Sequence, residues 1–140
     1  MDNIDKKILS LLVQNARIPV KEIAGEVALT APAVSERIKK MERDGTINGY
    51  TVRMGYPQGK DTISAFIDVA TFHDKKEEFA RRIVDEPLVK SCSSVTGSRN
   101  YVLLVHCPNI GTLERLISEL QEYGQTNTQI ILSTLVERQS

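Results

Sequence analysis

Between Thr30 and Arg43 the sequence TAPAVSERIKKMER sets donors and acceptors at spacings that matter on a helix. At about 100° per residue, Val34, Ile38 and Met41 form one apolar stripe. Pro32, Glu36, Lys39, Lys40 and Arg43 then face the other way, with Ser35 and Arg37 on the flanks. That outward set has a chemistry. Lysine and arginine donate to phosphate oxygens and to guanine O6 and N7, and glutamate accepts from the cytosine amino group, which is how a helix reads a duplex groove. A plainer alternative stays open: a solvated face on which Glu36 and Lys40 pair at i, i+4 for about 0.2–0.5 kcal/mol.

Little else in the chain is arranged for chemistry. Cys92 and Cys107 sit in strand-like runs, with His106 beside the second and His73 in a loop, and their spacing matches neither a metal site nor a disulfide framework. Both thiols are expected reduced, packing as small hydrophobes. Arg99 next to Asn100 superficially resembles an acylphosphatase pair, but no Gly-rich phosphate loop accompanies it. No nucleophile stands beside a base and no paired carboxylates end a strand. The expectation is no enzyme, no metal and no cofactor.

The outward face needs elements to hold it. Ala24, Leu29 and Val34 recur at five-residue intervals across VKEIAGEVALTAPAVSERIKKMER, the signature of two short helices joined by a tight turn. Ala24 is small because the helices cross there. Thr30 is a natural cap for the second helix and Pro32 suits its first turn. Asp2 caps an earlier helix running to about Asn15, with Ile4, Ile8, Leu11 and Leu12 inward, and Ala16–Pro19 breaks it. After Gly45, Thr46–Arg53 with Asn48-Gly49 at its centre predicts a β-hairpin wing. Residues 1–53 thus predict a winged helix-turn-helix head that binds double-stranded DNA.

Pro57 with Gly55 and Gly59 marks 54–61 as a linker, and the hydrophobic period changes after it. Ile63, Ala65, Ile67 and Val69 alternate as a strand; Lys75–Asp85 is helical through Phe79, Ala80, Ile83 and Val84. Val89–Val95 and Tyr101–Cys107 are strands around the turn Thr96–Asn100, Ile110 to about Tyr123 is a helix, and Thr126–Val136 a last strand. Residues 62–140 therefore predict a ferredoxin-like βαββαβ sandwich, and the fold class is α+β. Two helices cover only one face of such a sheet, yet YVLLVHC is apolar on both sides and Ile130–Leu132 repeats this. A second copy would bury the uncovered face, so a homodimer is expected.

Charge is balanced overall, with 18 basic and 18 acidic residues in 140. Residues 1–53 hold nine basic and seven acidic side chains, against nine and eleven in 54–140, which favours the first half for DNA. A composition 41% hydrophobic and 26% charged is globular. No apolar run reaches the roughly 20 residues of a membrane span, and Met1–Asp5 does not open like a secretion signal, so a cytoplasmic protein is expected. RNA recognition on such a sandwich needs exposed aromatics and basic residues on central strands, whereas YVLLVHC has one aromatic and no cation.

Several stretches in order, DNIDKKIL, NAR at 15–17, IAGEVALTAPAVSERIKKME, DGTINGY and VTGSRNYVLL, resemble the Lrp/AsnC family of leucine-responsive, feast/famine transcriptional regulators over essentially the whole chain. The resemblance implies a winged helix-turn-helix head and a ligand-sensing sandwich, called RAM, that forms dimers and often octamers and responds to amino acids. It assigns Ser35, Glu36 and Lys39 to base edges, and Thr30, Arg37, Lys40 and Arg43 to phosphates or the groove wall. It also places an effector site near the hairpin turn, where the family pattern of Gly, two variable residues, Asp and an aromatic becomes Gly97-Ser98-Arg99-Asn100-Tyr101. Asn100 lacks the charge that would hold an ammonium, Arg99 favours a carboxylate, and Gln125, Thr126 and Thr128 are candidates to complete the pocket. A polar turn and strand edge is the alternative for these residues. An effector-independent, architectural DNA-wrapping protein is the alternative for the whole.

Overall fold

A computed structural model of the chain describes residues 1–53 and 62–138. The predicted linker, 54–61, lies outside the described residues. The chain divides into two compact units, a helical head and a sheet domain.

The head has three helices: α1 (Asn3–Gln14), α2 (Val20–Val27) and α3 (Ala31–Arg43). Asp2 caps α1 through a capping box: its Oδ1 accepts from Asp5 N–H at 2.8 Å, and Asp5 Oδ2 accepts from Asp2 N–H at 3.3 Å. Thr30 Oγ1 caps α3 by accepting from Ala33 N–H at 3.3 Å, with proline in the first turn. Between α2 and α3 the chain reverses at Ala28, which takes a left-handed φ of +55° and lets Leu29 N–H reach Ala24 O at 3.1 Å. Ile8, Ile23, Ala24, Val34 and Met41 form the buried core, with Ile38 and Leu29 packed against it. Ala24 is buried where the crossing requires a small residue.

The predicted hairpin wing is not formed among the described residues. A two-residue Asn-Gly turn of the hairpin kind needs positive φ at both positions, and neither Asn48 nor Gly49 has it. Gly45 takes the left-handed turn instead, at φ +82°. Thr46 N–H then donates to Asp44 Oδ1 at 3.0 Å and Ile47 N–H to Met41 O at 2.9 Å, folding the segment back on the end of α3 with Ile47 against the core.

The second unit is a four-stranded antiparallel sheet ordered β2-β3-β1-β4. Its strands are β1 (Ile63–Thr71), β2 (Val89–Ser94), β3 (Tyr101–Cys107) and β4 (Gly124–Ile130), and its helices α4 (Lys76–Val84) and α5 (Ile110–Leu120). Ala65, Ile67 and Val69 of β1 and Leu103, Val105 and Cys107 of β3 are fully buried beneath Phe79, Ile83, Leu113, Leu116 and Leu120. Tyr101 and Tyr123 close the layer, their rings 4.9 and 6.2 Å from that of Phe79. The opposite face carries Phe66, Asp68 and Ala70 of β1 and Val102, Leu104 and His106 of β3, with Ser64 Oγ 2.8 Å from His106 Nδ1.

Three sequence expectations are corrected here. Ala80 and Val84 do not join the inward side of α4; Val84 is 84% exposed, and Phe79 and Ile83 alone are buried. Helix α5 ends at Leu120, because the chain tightens into a turn that brings Tyr123 N–H to Leu120 O at 3.0 Å. Strand β4 spans Gly124–Ile130, not Thr126–Val136. It begins early because Gly124 pairs with Thr71, and it stops because Ile131 N–H reaches Ser64 O, one residue from the start of β1. Leu132 and Leu135 beyond it are 95% exposed.

Candidate nucleic-acid interface and ligand loop

Burial of Val34 and Met41 fixes the rotation of α3, and rotation decides what the helix offers outward. Glu36, Lys39, Lys40 and Arg43 are exposed, Ser35 and Arg37 are half-buried, and Thr30 is exposed at the cap. Thr30 Oγ1 spends a lone pair on the cap, which leaves its hydroxyl hydrogen free to donate to an incoming acceptor. Lys39 Nζ lies 4.0 Å from Glu36 Oε1 at i, i+3, so glutamate pairs with Lys39 and not with Lys40 as the plain solvated face would have it. Both partners are about two-thirds exposed, and such a pair is held weakly enough to open to a better acceptor.

Arg37 is placed differently. Its Nη1 donates to Asp2 Oδ2 at 2.7 Å and to Asp5 Oδ1 at 3.0 Å, tying the middle of α3 to the first turn of α1. The hydrogen bond from Arg37, with the Asp5 backbone N–H, pulls the Asp2 carboxyl from 3.8 down to about 2. The same pairing pushes the Arg37 guanidinium further up. These three residues with Glu36, Lys40 and Arg43 line a shallow cleft of about 370 Å³ on the head. Sequence reading saw Asp2 as a cap alone and Arg37 as a flank assigned to phosphates or the groove wall; their pairing spans 35 positions and leaves no periodic trace. Tyr50 was missed also. Its hydroxyl donates to Glu42 Oε1 at 3.2 Å, and burial together with that carboxylate pushes the phenol up.

In the sheet domain, Gly97 turns the β2–β3 loop at φ +106°, where a side chain would strain, and Val95 N–H closes it on Asn100 O at 2.9 Å. Ser98 is exposed. Asn100 is held at both ends of its amide: Oδ1 accepts from Thr71 N–H at 3.0 Å and Nδ2 donates to Thr71 Oγ1 at 2.8 Å. It thereby fastens the end of β1 to the start of β3. Arg99 Nη1 donates to Gln125 O at 3.4 Å, which brings the loop to β4. The β4 candidates divide by strand alternation. Thr126 and Thr128 pair with Val69 and Ile67 and share their helix-covered face, while Gln125 pairs with Ala70 on the open one.

No group of three or more His, Cys, Asp or Glu among the described residues is placed to hold a metal ion. Cys107 is buried, and burial pushes its thiol up, which keeps it neutral, whereas Cys92 is exposed on β2, against the expectation that both thiols are buried. No described helix is long and apolar enough to cross a membrane.

Comparison with known proteins bears on both units. A family model for the AsnC-type helix-turn-helix domain matches residues 1–42, and one for the Lrp/AsnC ligand binding domain matches residues 64–140. The HTH-type transcriptional regulator LrpB of Bacillus subtilis is 35% identical over 136 residues, covering 95% of this chain and 88% of that protein. The solved structure of B. subtilis LrpC superposes with a TM-score of 0.88 at 25% identity, covering 99% of each chain. A Neisseria meningitidis transcriptional regulator, NMB0573, solved as a complex with L-Met, superposes at 0.90 over 99% of this chain and 94% of that one; at 24% identity it speaks for the fold. These relatives carry the names of transcriptional regulators and not of enzymes. With matched models over both units, the chain belongs to the Lrp/AsnC family, a transcriptional regulator that joins an AsnC-type helix-turn-helix to an Lrp/AsnC ligand-binding domain.

Proposed function

We propose that this regulator reads duplex DNA through α3, with Ser35, Glu36 and Lys39 at base edges and Thr30, Lys40 and Arg43 on phosphates. Arg37 enters that set only on leaving its carboxylates. The observation that carries the reading is the rotation of α3: Val34 and Met41 are buried, so the cations of the helix project from the head. The head corresponds to 1–53, the linker to 54–61 and the sensing and oligomerising domain to 62–140. In this reading the protein works in the cytoplasm as a homodimer, and as an octamer where dimers assemble further. Two heads then engage half-sites about one helical turn apart. The open sheet face, with Phe66 42% exposed beside half-buried Val102 and Leu104, supports the pairing of copies.

The test is binding to duplex fragments across a salt series. Lys39→Ala with Lys40→Ala is expected to weaken binding and to flatten the log–log salt dependence by about 0.9 for the phosphate contact of Lys40. Unchanged binding removes α3 from the interface.

An amino-acid-like effector at Gly97–Asn100 with Gln125, Thr126 and Thr128 is the reading that the ligand-binding family model supports for the second unit. One observation favours the alternative of an effector-independent, architectural DNA-wrapping protein: Thr71 occupies both ends of the Asn100 amide. Thermal shift with a panel of amino acids separates the two. An effector at a hundred times its dissociation constant adds about 2.7 kcal/mol, and indifference to the whole panel favours the architectural protein.

A further inference from the structure

We propose that Asp2 and Asp5 are an internal stand-in for a DNA phosphate, holding Arg37 back from the duplex until a backbone phosphate displaces them. This rests on the DNA-reading role of α3 above. The four carboxylate oxygens are divided with little slack. Asp2 Oδ1 and Asp5 Oδ2 serve the capping box, and Asp2 Oδ2 and Asp5 Oδ1 converge on one nitrogen of Arg37 at 2.7 and 3.0 Å. Two anionic oxygens accepting from one guanidinium nitrogen repeat the acceptor pattern of a phosphodiester's two non-bridging oxygens, with two negative charges in place of one. The cradle is fixed to α1 by the capping box, whereas the arginine side chain is the movable partner. Both bonds use Nη1, so the Nε and Nη2 hydrogens are left for a newcomer.

The surroundings suit exchange. The Arg37 side chain is 31% exposed and that of Asp2 55%, at a cleft that Lys40 and Arg43 also line. A phosphate drawn there by the two outer cations meets Arg37 from the solvent side. While the acids hold it, Arg37 is already neutralised and releases no counterion when DNA arrives. The acid pair therefore lowers both the affinity for DNA and its dependence on salt.

The experiment is a double-mutant cycle on the full chain, with fluorescence anisotropy on a mixed-sequence duplex between about 50 and 200 mM salt. Asp2→Asn with Asp5→Asn is expected to bind about tenfold tighter, with a salt slope steeper by about 0.9, as Arg37 gains one phosphate. Arg37→Gln in the native background is expected to flatten the slope by clearly less than about 0.9, because there a phosphate must first displace the acids, and in the Asn background it abolishes the gain. Asparagine keeps a capping side chain at position 2, and Asp2→Asn alone, expected to give an intermediate gain, guards against a misfolded double variant. The proposal is overturned if the gain survives Arg37→Gln, which would make it plain relief of repulsion. It is equally overturned if the Asn variants show no gain, or if Arg37→Gln alone flattens the slope by the full amount of about 0.9. Absence of binding by the native chain at the lowest salt would sink the parent reading along with it, whereas native binding without coupling sinks this inference only.

Discussion

Asp2 does two jobs with one carboxylate: Oδ1 caps α1 and Oδ2 holds Arg37. Its folded pKa of about 2 lies below the ordinary 3.8, so the stabilisation it brings is fully present above pH 4 and is lost as pH falls from there toward 2. Melting temperature measured between pH 5 and pH 2 is expected to fall less steeply for Asp2→Asn than for the native chain, and parallel curves would refute the assignment. At the other end of the chain, Gly124 has no room for a side chain. A Cβ there would lie 2.2 Å from Ala70 O, where β4 meets β1. Gly124→Ala is expected to cost about 1–3 kcal/mol by forcing the strands apart, read from denaturant unfolding. Of these residue roles the caps Asp2 and Thr30 were legible in the sequence, since each acts on a neighbour three residues away. The grip on Arg37 and the double grip of Asn100 on Thr71 were not, because each joins positions about thirty residues apart that only the fold brings together.

Among elements, alternation located β1 well, and the apolar run of β3 was read to the residue, Tyr101–Cys107. A strand buried on one face writes its period into its own side chains. The limits of β4 were misread because its end is set by β1, whose first residue is Ile63; an apolar run says where a chain would bury itself, not whether a neighbour remains to pair with it. The wing failed for a related reason. Asn48-Gly49 is a turn signal in isolation, but Gly45 had already turned the chain toward Met41. The reversal between α2 and α3 is a further element-scale feature, since Ala28 holds a left-handed backbone that glycine adopts without strain. Ala28→Gly is expected to stabilise the head by about 0.5–1 kcal/mol, after the added flexibility of the unfolded chain is discounted. A lower melting temperature would show that the Ala28 methyl matters more than its φ.

For the whole molecule, the two units were separable in the sequence because the period of apolar residues changes from helical to alternating after 61. The second unit also announced an unfilled need, since β3 is apolar on the face its helices do not reach. If this face pairs copies as proposed, Phe66→Lys, on that face and already 42% exposed, is expected to leave the fold intact and to shift sedimentation from the mass of two chains to that of one. A variant that sediments as the native protein does would place the self-association elsewhere. Sheet order carries a last consequence, and it concerns time. The head closes through partners fewer than forty residues apart, whereas β1 takes one of its two neighbours from β4, which ends at Ile130. Loop closure over that span is slow, so the three helices of the head settle while the central strand of the sheet still waits for its last neighbour.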